Sequence, residues 1–198
     1  MLRIAGVLLA AGRGARFGGD KLLAPLPEAT LELPPGTPLG VAAASHLVAA
    51  LPGSVAVIRR GDDRLRALLA TTGIGVVECA NADDGMGASL ACGVRATHAA
   101  DAWVVALADM PWIAPATISG VADALRAGAD LAAPVHRGVR GHPVGFSRRH
   151  HAALAALGGD AGAREILRAH AGALTLVDVD DAGIARDVDT KAALAPPS

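Results

Sequence analysis

Short apolar runs recur along this chain, separated by stretches whose apolar residues fall at helical spacing. RIAGVLL at 3–9, SVAVI at 54–58, IGVVE at 74–78, AWVVALA at 102–108 and LAAPV at 131–135 are the runs. Each is too short for a helix of ordinary length and carries almost no polar residue, which predicts strands buried on both faces. Between them, residues 38–50, 62–71, 88–99 and 115–128 predict helices. Thr37 is placed to cap the first with Pro38 at its first position, Asp62 starts the second, and Pro115 lies near the start of the fourth. Further on, 140–147 reads as extended, 148–157 and 162–171 as short helices, 173–179 and 184–189 as strand-like, and 190–195 as a helical turn. His150 and His151 fall in the first of those short helices, on a face expected to be solvated.

Strands alternating with helices predict an α/β fold: a three-layer α/β/α sandwich around a mainly parallel sheet. No internal repeat or linker divides the chain, so residues 1–198 read as a single domain. Residues 24–37 hold four prolines and no clean period and read as an irregular excursion; the tail APPS reads as frayed. In open parallel sheets ligands bind beyond the carboxyl ends of the strands. Three features sit at such ends: the glycine loop over 10–21, the polar loop NADDGMG over 81–87, and Asp109.

Composition narrows the function classes. The 198 residues are 52% hydrophobic, enough for a substantial core, and no apolar run reaches the length of a membrane span. The first run leads directly into the glycine loop rather than to a cleavage site, so it reads as a strand and the protein as cytoplasmic. A net charge of −1, four aromatic residues and no Tyr argue against a nucleic-acid partner. Cys79 and Cys92 are the only cysteines, and a lone pair at this spacing makes neither a zinc site nor a disulfide framework; they read as buried, inert thiols. Of 18 basic residues only Lys21 and Lys191 are lysines. In a chain so skewed toward Ala, Gly and Arg, Lys21 in the glycine loop marks a position where an ammonium is needed.

The glycine loop, GRGARFGGDK, has two arginines and a lysine beside four glycines. Backbone N–H groups without side chains in the way, next to positive charge at a strand end, suit phosphate oxygens. The dinucleotide-binding pattern is incomplete, because Ala15 and Arg16 stand where the third glycine is needed, and no Gly-Lys-Ser/Thr of a P-loop is present. Asp109, ending an apolar strand before Met110-Pro111, suits either a Mg²⁺ ligand or a cap of the following turn. Asp187 and Asp189, two apart, would share a face on a strand; Asp189 also suits a helix N-terminus.

LAAGRGARFGGDK at 9–21 closely resembles the signature of NTP transferases with a glycosyltransferase-A-like, Rossmann-type fold (nucleotide-diphospho-sugar-transferase-like). GMGASLACGV at 85–94, ALADMPWI at 106–113, RGHPVGF at 140–146, GDAGAREIL at 159–167 and DVDT at 187–190 extend the likeness, and within that superfamily the chain resembles the molybdenum cofactor cytidylyltransferases. The resemblance implies an enzyme moving CMP from CTP to the terminal phosphate of molybdopterin, with Mg²⁺, or Mn²⁺ in its place, as cofactor. It implies nucleotide contacts from Leu9, Ala10, Ala11, Gly12, Arg13, Gly14 and Lys21, and from Asn81, Asp83, Gly87 and Ser89. Lys21, Arg16 and Asp109 would be catalytic, Asp109 and Asp189 would hold the metal, and His142 and Arg164 would meet the acceptor. A molybdenum hydroxylase would be a transient partner. Related guanylyltransferases have a Gly-Gly pair where this chain has Ala10-Ala11-Gly12, and the added methyl groups narrow the pocket and favour CTP over GTP. The rival readings are a guanylyl- or sugar-phosphate nucleotidyltransferase on the same fold, a non-catalytic module delivering the modified cofactor, and an NAD-binding dehydrogenase domain.

Overall fold

A computed structural model describes residues 2–28, 33–160 and 162–194. Residues 29–32 of the proline-rich excursion, Ala161 and the tail over 195–198 lie outside the described residues. The strands are β1 (Ile4–Leu9), β2 (Val55–Arg59), β3 (Gly75–Cys79), β4 (Ala102–Leu107), β5 (Leu131–His136), β6 (Val139–Arg140), β7 (Val144–Ser147) and β8 (Leu174–Asp178). The helices are α1 (Leu39–Ala50), α2 (Asp63–Ala70), α3 (Met86–Ala96), α4 (Pro115–Arg126), α5 (His151–Ala155) and α6 (Arg164–Ala169).

The eight strands form one sheet in the order β3-β2-β1-β4-β7-β5-β6, with β8 on β5. The pairings β3-β2, β2-β1, β1-β4 and β5-β8 are parallel, whereas β7 runs antiparallel to both β4 and β5. The fold is therefore the expected helix-flanked, mainly parallel sheet. Alternate residues along each strand feed two apolar layers. Leu8, Val104 and Ala106 face Leu39, Leu47 and Val121 on one side. Val7, Trp103 and Val105 face Leu90, Val94 and Leu154 on the other. The sequence order turns back at β1: β2 lies on one flank and β4 on the other, so their carboxyl ends diverge and leave a crevice above β1.

Several local expectations are corrected. Thr37 does not cap α1; its hydroxyl donates to the Pro34 carbonyl at 2.8 Å and tightens the turn before the helix. Helix α3 begins at Met86, two residues earlier than its apolar period, because Gly85 takes a left-handed φ of 118° and turns the chain into it. Residues 184–189 are not a strand. A short 3-10 turn covers Ala182–Ala185, and beyond it the Val188 N–H donates to the Asp109 carbonyl at 2.9 Å.

His150 and His151 are not on a solvated face either. His150 is 4% exposed, its Nε2 lies 3.1 Å from Asp130 Oδ2, and Asp130 Oδ1 accepts from the Ser147 hydroxyl at 2.5 Å. His151 stacks on Trp103 at 5.3 Å between ring centroids. Cys79 is buried and Cys92 half-buried, both as free thiols, and burial together with the neighbouring Cys79 pushes the Cys92 thiol up to about 11. Among the described residues no helix is long and apolar enough to cross a membrane.

Candidate active site

The glycine loop leaves β1 and folds back over the crevice as successive tight turns. Gly14 adopts φ 59°, and a Cβ there would lie 2.6 Å from the Gly19 carbonyl, so this turn requires glycine. Its carbonyl accepts from the N–H groups of Phe17 and Gly18 at 2.9 and 3.2 Å. Folding the loop this way brings Lys21, on a 3-10 turn at its end, back to the tip of β4.

There the Lys21 ammonium lies 2.9 Å from Asp109 Oδ2 and 3.7 Å from Asp189 Oδ1, with only 12% of its side chain exposed. The second Asp189 oxygen accepts from Arg16 at 2.5 Å. Segments separated by almost the whole chain meet here because Val188 is pinned to the Asp109 backbone. The charge of Asp187 is felt at His142. Burial holds the His142 imidazole below its ordinary pKa, reinforced by Arg140 and opposed by Asp109 and Asp187, so the ring is neutral at pH 7.

Three cavities among the described residues lie at this end of the sheet. One of about 380 Å³ lies between the glycine loop and β2, touching Ala10, Gly12, Arg13 and Lys21. The next, about 360 Å³, is bounded by Leu9, Ala11, Asp83, Ser89 and Asp109. The largest, about 550 Å³, has an apolar floor of Leu90, Val105, Val144 and Phe146 below His142 and Arg164. Leu9, Met86, Leu107 and Asp160 line both the second and third, so the two lie side by side.

Residues 6–174 match the family model described as a MobA-like NTP transferase domain. The chain belongs to that family. It is 32% identical over 197 residues to nicotine blue oxidoreductase of Paenarthrobacter nicotinovorans, covering 94% of this chain and 92% of that protein. The crystal structure of Rv0371c from Mycobacterium tuberculosis superposes with a TM-score of 0.78 at 27% identity, covering 97% of this chain and 95% of that one. A second structure of Rv0371c, a complex with manganese, superposes with a TM-score of 0.74, again at 27% identity, over 96% and 95% of the two chains. This protein is accordingly a nucleotidyltransferase of the MobA-like type.

In this MobA-like enzyme some residues expected at the nucleotide serve the scaffold. The Gly87 N–H donates to the Gly159 carbonyl at 2.8 Å, and a Cβ on Gly87 would meet the Gly158 carbonyl at 2.7 Å. The glycines of GMG thus let the start of α3 press against the 158–160 turn, and Gly87 has no N–H left for a ligand. Asn81 closes the turn before α3: its amide nitrogen donates to Asp84 at 3.3 Å, and its carbonyl faces the Cys79 thiol at 3.4 Å.

Two sets of residues were not singled out from the sequence. Arg140 and Arg168 join Arg164 around the largest cavity. The four-residue spacing of Arg164 and Arg168 on one helix is the signal that was available. Arg59, at the tip of β2, pairs with Asp83 Oδ1, whose other oxygen is held by Arg13 at 2.6 Å. The Arg13 and Arg59 guanidinium groups hold the Asp83 carboxyl below the usual carboxylate range.

Proposed function

We propose that this nucleotidyltransferase moves CMP from CTP to the terminal phosphate of molybdenum-loaded molybdopterin, giving the cytosine dinucleotide and pyrophosphate, and that residues 1–198 act as one domain. The observation that carries this reading is the Lys21 ammonium, its side chain 12% exposed, held between Asp109 and Asp189 where Lys21 lines the cavity beside the glycine loop and Asp109 lines the next one.

Two carboxylates that share one cation form a donor set suited to Mg²⁺ or Mn²⁺, which takes one or two carboxylates and completes its shell with phosphate and water. Lys21 marks where positive charge is held between Asp109 and Asp189. Bound there, the divalent ion would neutralise phosphate oxygens that otherwise repel the attacking group.

The chain's own residues account for the remaining requirements. A phosphate monoester has its second pKa near ~6, so the acceptor is an anionic nucleophile at neutral pH and needs no strong base. Its oxygen bonds to the α-phosphorus, the α–β bridging P–O bond breaks, and that electron pair leaves with pyrophosphate. Lys21 and Arg16 offset the triphosphate charge, and N–H groups around Gly12 hold its oxygens. The neutral His142 and the cationic Arg164 line the acceptor cavity, whose apolar floor suits a planar ring system. The buried methyl groups of Ala10 and Ala11 narrow the nucleotide side and favour CTP over GTP. In this reading a molybdenum hydroxylase receives the product.

The test is pyrophosphate release with Mg²⁺ and molybdenum-loaded molybdopterin, run in parallel with CTP and GTP. Release with CTP alone is expected. Release with GTP alone would keep the reaction and discard the role of Ala10 and Ala11. CTP binding without release would favour a delivery module.

A second reading follows from the relative named nicotine blue oxidoreductase: reduction of a planar dye held in the 550 Å³ cavity. NADH or NADPH consumption with such a dye tests it. The missing third glycine of the loop argues against a dinucleotide turn there.

A further inference from the structure

We infer that Arg59 and Asp83 read the base of the nucleotide, with Arg59 making the pocket choose an amino-bearing pyrimidine over uracil. The inference rests on the nucleotidyl-transfer reading and adds a specificity-determining residue to it.

Arg59 ends β2, one strand away from the glycine loop, and its side chain is 25% exposed, against 67% for Arg13. It is therefore the more firmly placed of the two guanidinium groups on Asp83. Arg13 and Arg59, with Gly12, line both the 380 Å³ and the 360 Å³ cavities, so they form the wall between them. Any base entering beside the glycine loop meets that wall.

Asp83 is ionised at neutral pH, because Arg13 and Arg59 hold its carboxyl below the usual range. A carboxylate has about four lone-pair sites and a guanidinium five N–H groups. The pairings to Nη2 of Arg13 and Nη1 of Arg59 leave unused capacity on both partners. The wall thus offers a hydrogen-bond acceptor beside a fork of donors.

Cytosine presents the complement: an exocyclic amino group as donor, next to N3 and O2 as acceptors. Its amino group would donate to Asp83, and its ring acceptors would receive from Arg59. Uracil reverses the first two positions, setting O4 against the carboxylate and N3–H against the guanidinium. Both contacts then become unfavourable and leave charged groups unmatched. Guanine also carries an amino donor, so the pair does not by itself reject it; exclusion of the purine is left to the volume beside Ala10 and Ala11.

The experiment is calorimetric titration of the full chain with CTP, UTP and GTP in the presence of Mn²⁺, for wild type, Arg59→Ala, Arg59→Lys and Asp83→Asn. Wild type should bind CTP about 10- to 100-fold more tightly than UTP, the range for one good bidentate contact. Arg59→Ala should lose most of the preference for CTP, the remainder being left to Asp83, while UTP stays within about 2-fold of wild type. Arg59→Lys should lose most of the preference as well, since an ammonium lacks the fork.

Equal weakening of CTP and UTP in Arg59→Ala would overturn the inference, making Arg59 a phosphate contact or a strut for the loop. Equal binding of CTP and UTP by wild type would also overturn it, while leaving nucleotidyl transfer intact. Failure of wild type to bind any nucleotide would bring down the reaction itself. Thermal melts report whether each variant is folded. If Arg59→Ala is not, the wild-type preference and its loss in Asp83→Asn decide the question.

Discussion

At the scale of single residues, the site depends on opposite charges held close together. Lys21 is largely withdrawn from solvent, and its two carboxylate partners take the place of its lost hydration. Lys21→Ala removes the ammonium while leaving two carboxylates facing the triphosphate. Turnover should fall by about 10²- to 10³-fold, the usual cost of deleting one preorganised charge-stabilising donor, with pyrophosphate release as the measurement. Asp109→Asn should abolish metal-dependent release and also weaken Mn²⁺ binding followed by electron paramagnetic resonance; a variant with normal turnover and normal Mn²⁺ binding would remove Asp109 from the metal site. Lys21 and Asp109 could both be picked out from the sequence, since each stands at a strand end in a distinctive setting. Arg59 could not. An arginine closing a strand next to Arg60 has no local mark, and its meaning comes from Asp83, a partner on another element.

At the scale of elements, α3 carries the loop that bounds the 360 Å³ cavity, and its distance from the sheet is set by Gly93. A Cβ at that position would lie 2.5 Å from a Val7 methyl and 2.8 Å from a Val57 methyl. Gly93→Ala should force the helix away from β1 and β2 and cost about 1–3 kcal/mol, read as a lower urea midpoint at unchanged slope. The start of β5 and the end of β7 are joined by Asp130 with Ser147 and His150. The Ser147 hydroxyl first, then the charge and hydrogen bond of His150, hold the Asp130 carboxyl below its ordinary value. A depressed pKa contributes stability that is complete above the unfolded value near ~3.9 and is lost as pH falls through the lower folded value. Asp130→Ala should therefore lower stability at pH 7 and flatten the loss between that value and stronger acid, as measured by unfolding at a series of pH values. The apolar runs and their helical spacers were readable because burial repeats with a local period. The antiparallel insertion of β7 between β4 and β5 was not, since strand neighbours are chosen by partners far away in sequence.

At the scale of the whole molecule, the 360 and 550 Å³ cavities lie side by side at the end of the sheet where three distant segments converge: the end of β1, the tip of β4 and the chain near Asp189. A ligand that bridges these segments stabilises their assembly. CTP with Mn²⁺ at about 100 times its dissociation constant should raise the unfolding free energy by about 2.7 kcal/mol, seen as a thermal midpoint several degrees higher. UTP at the same concentration should raise it less. The sequence by itself determined the alternation of strands and helices, the glycine loop after the first strand, and the carboxylate ending the fourth, because these follow from local periodicity and backbone chemistry. Only the tertiary structure decided that Asp189 meets Lys21 beside Asp109, that Gly87 packs against the 158–160 turn, that His150 is buried on Asp130, and that Arg59 pairs with Asp83 beside the glycine loop. Each of those outcomes depends on which distant side chain ends up within about 3–4 Å, the range over which hydrogen bonds and ion pairs act, and sequence separation carries no such information.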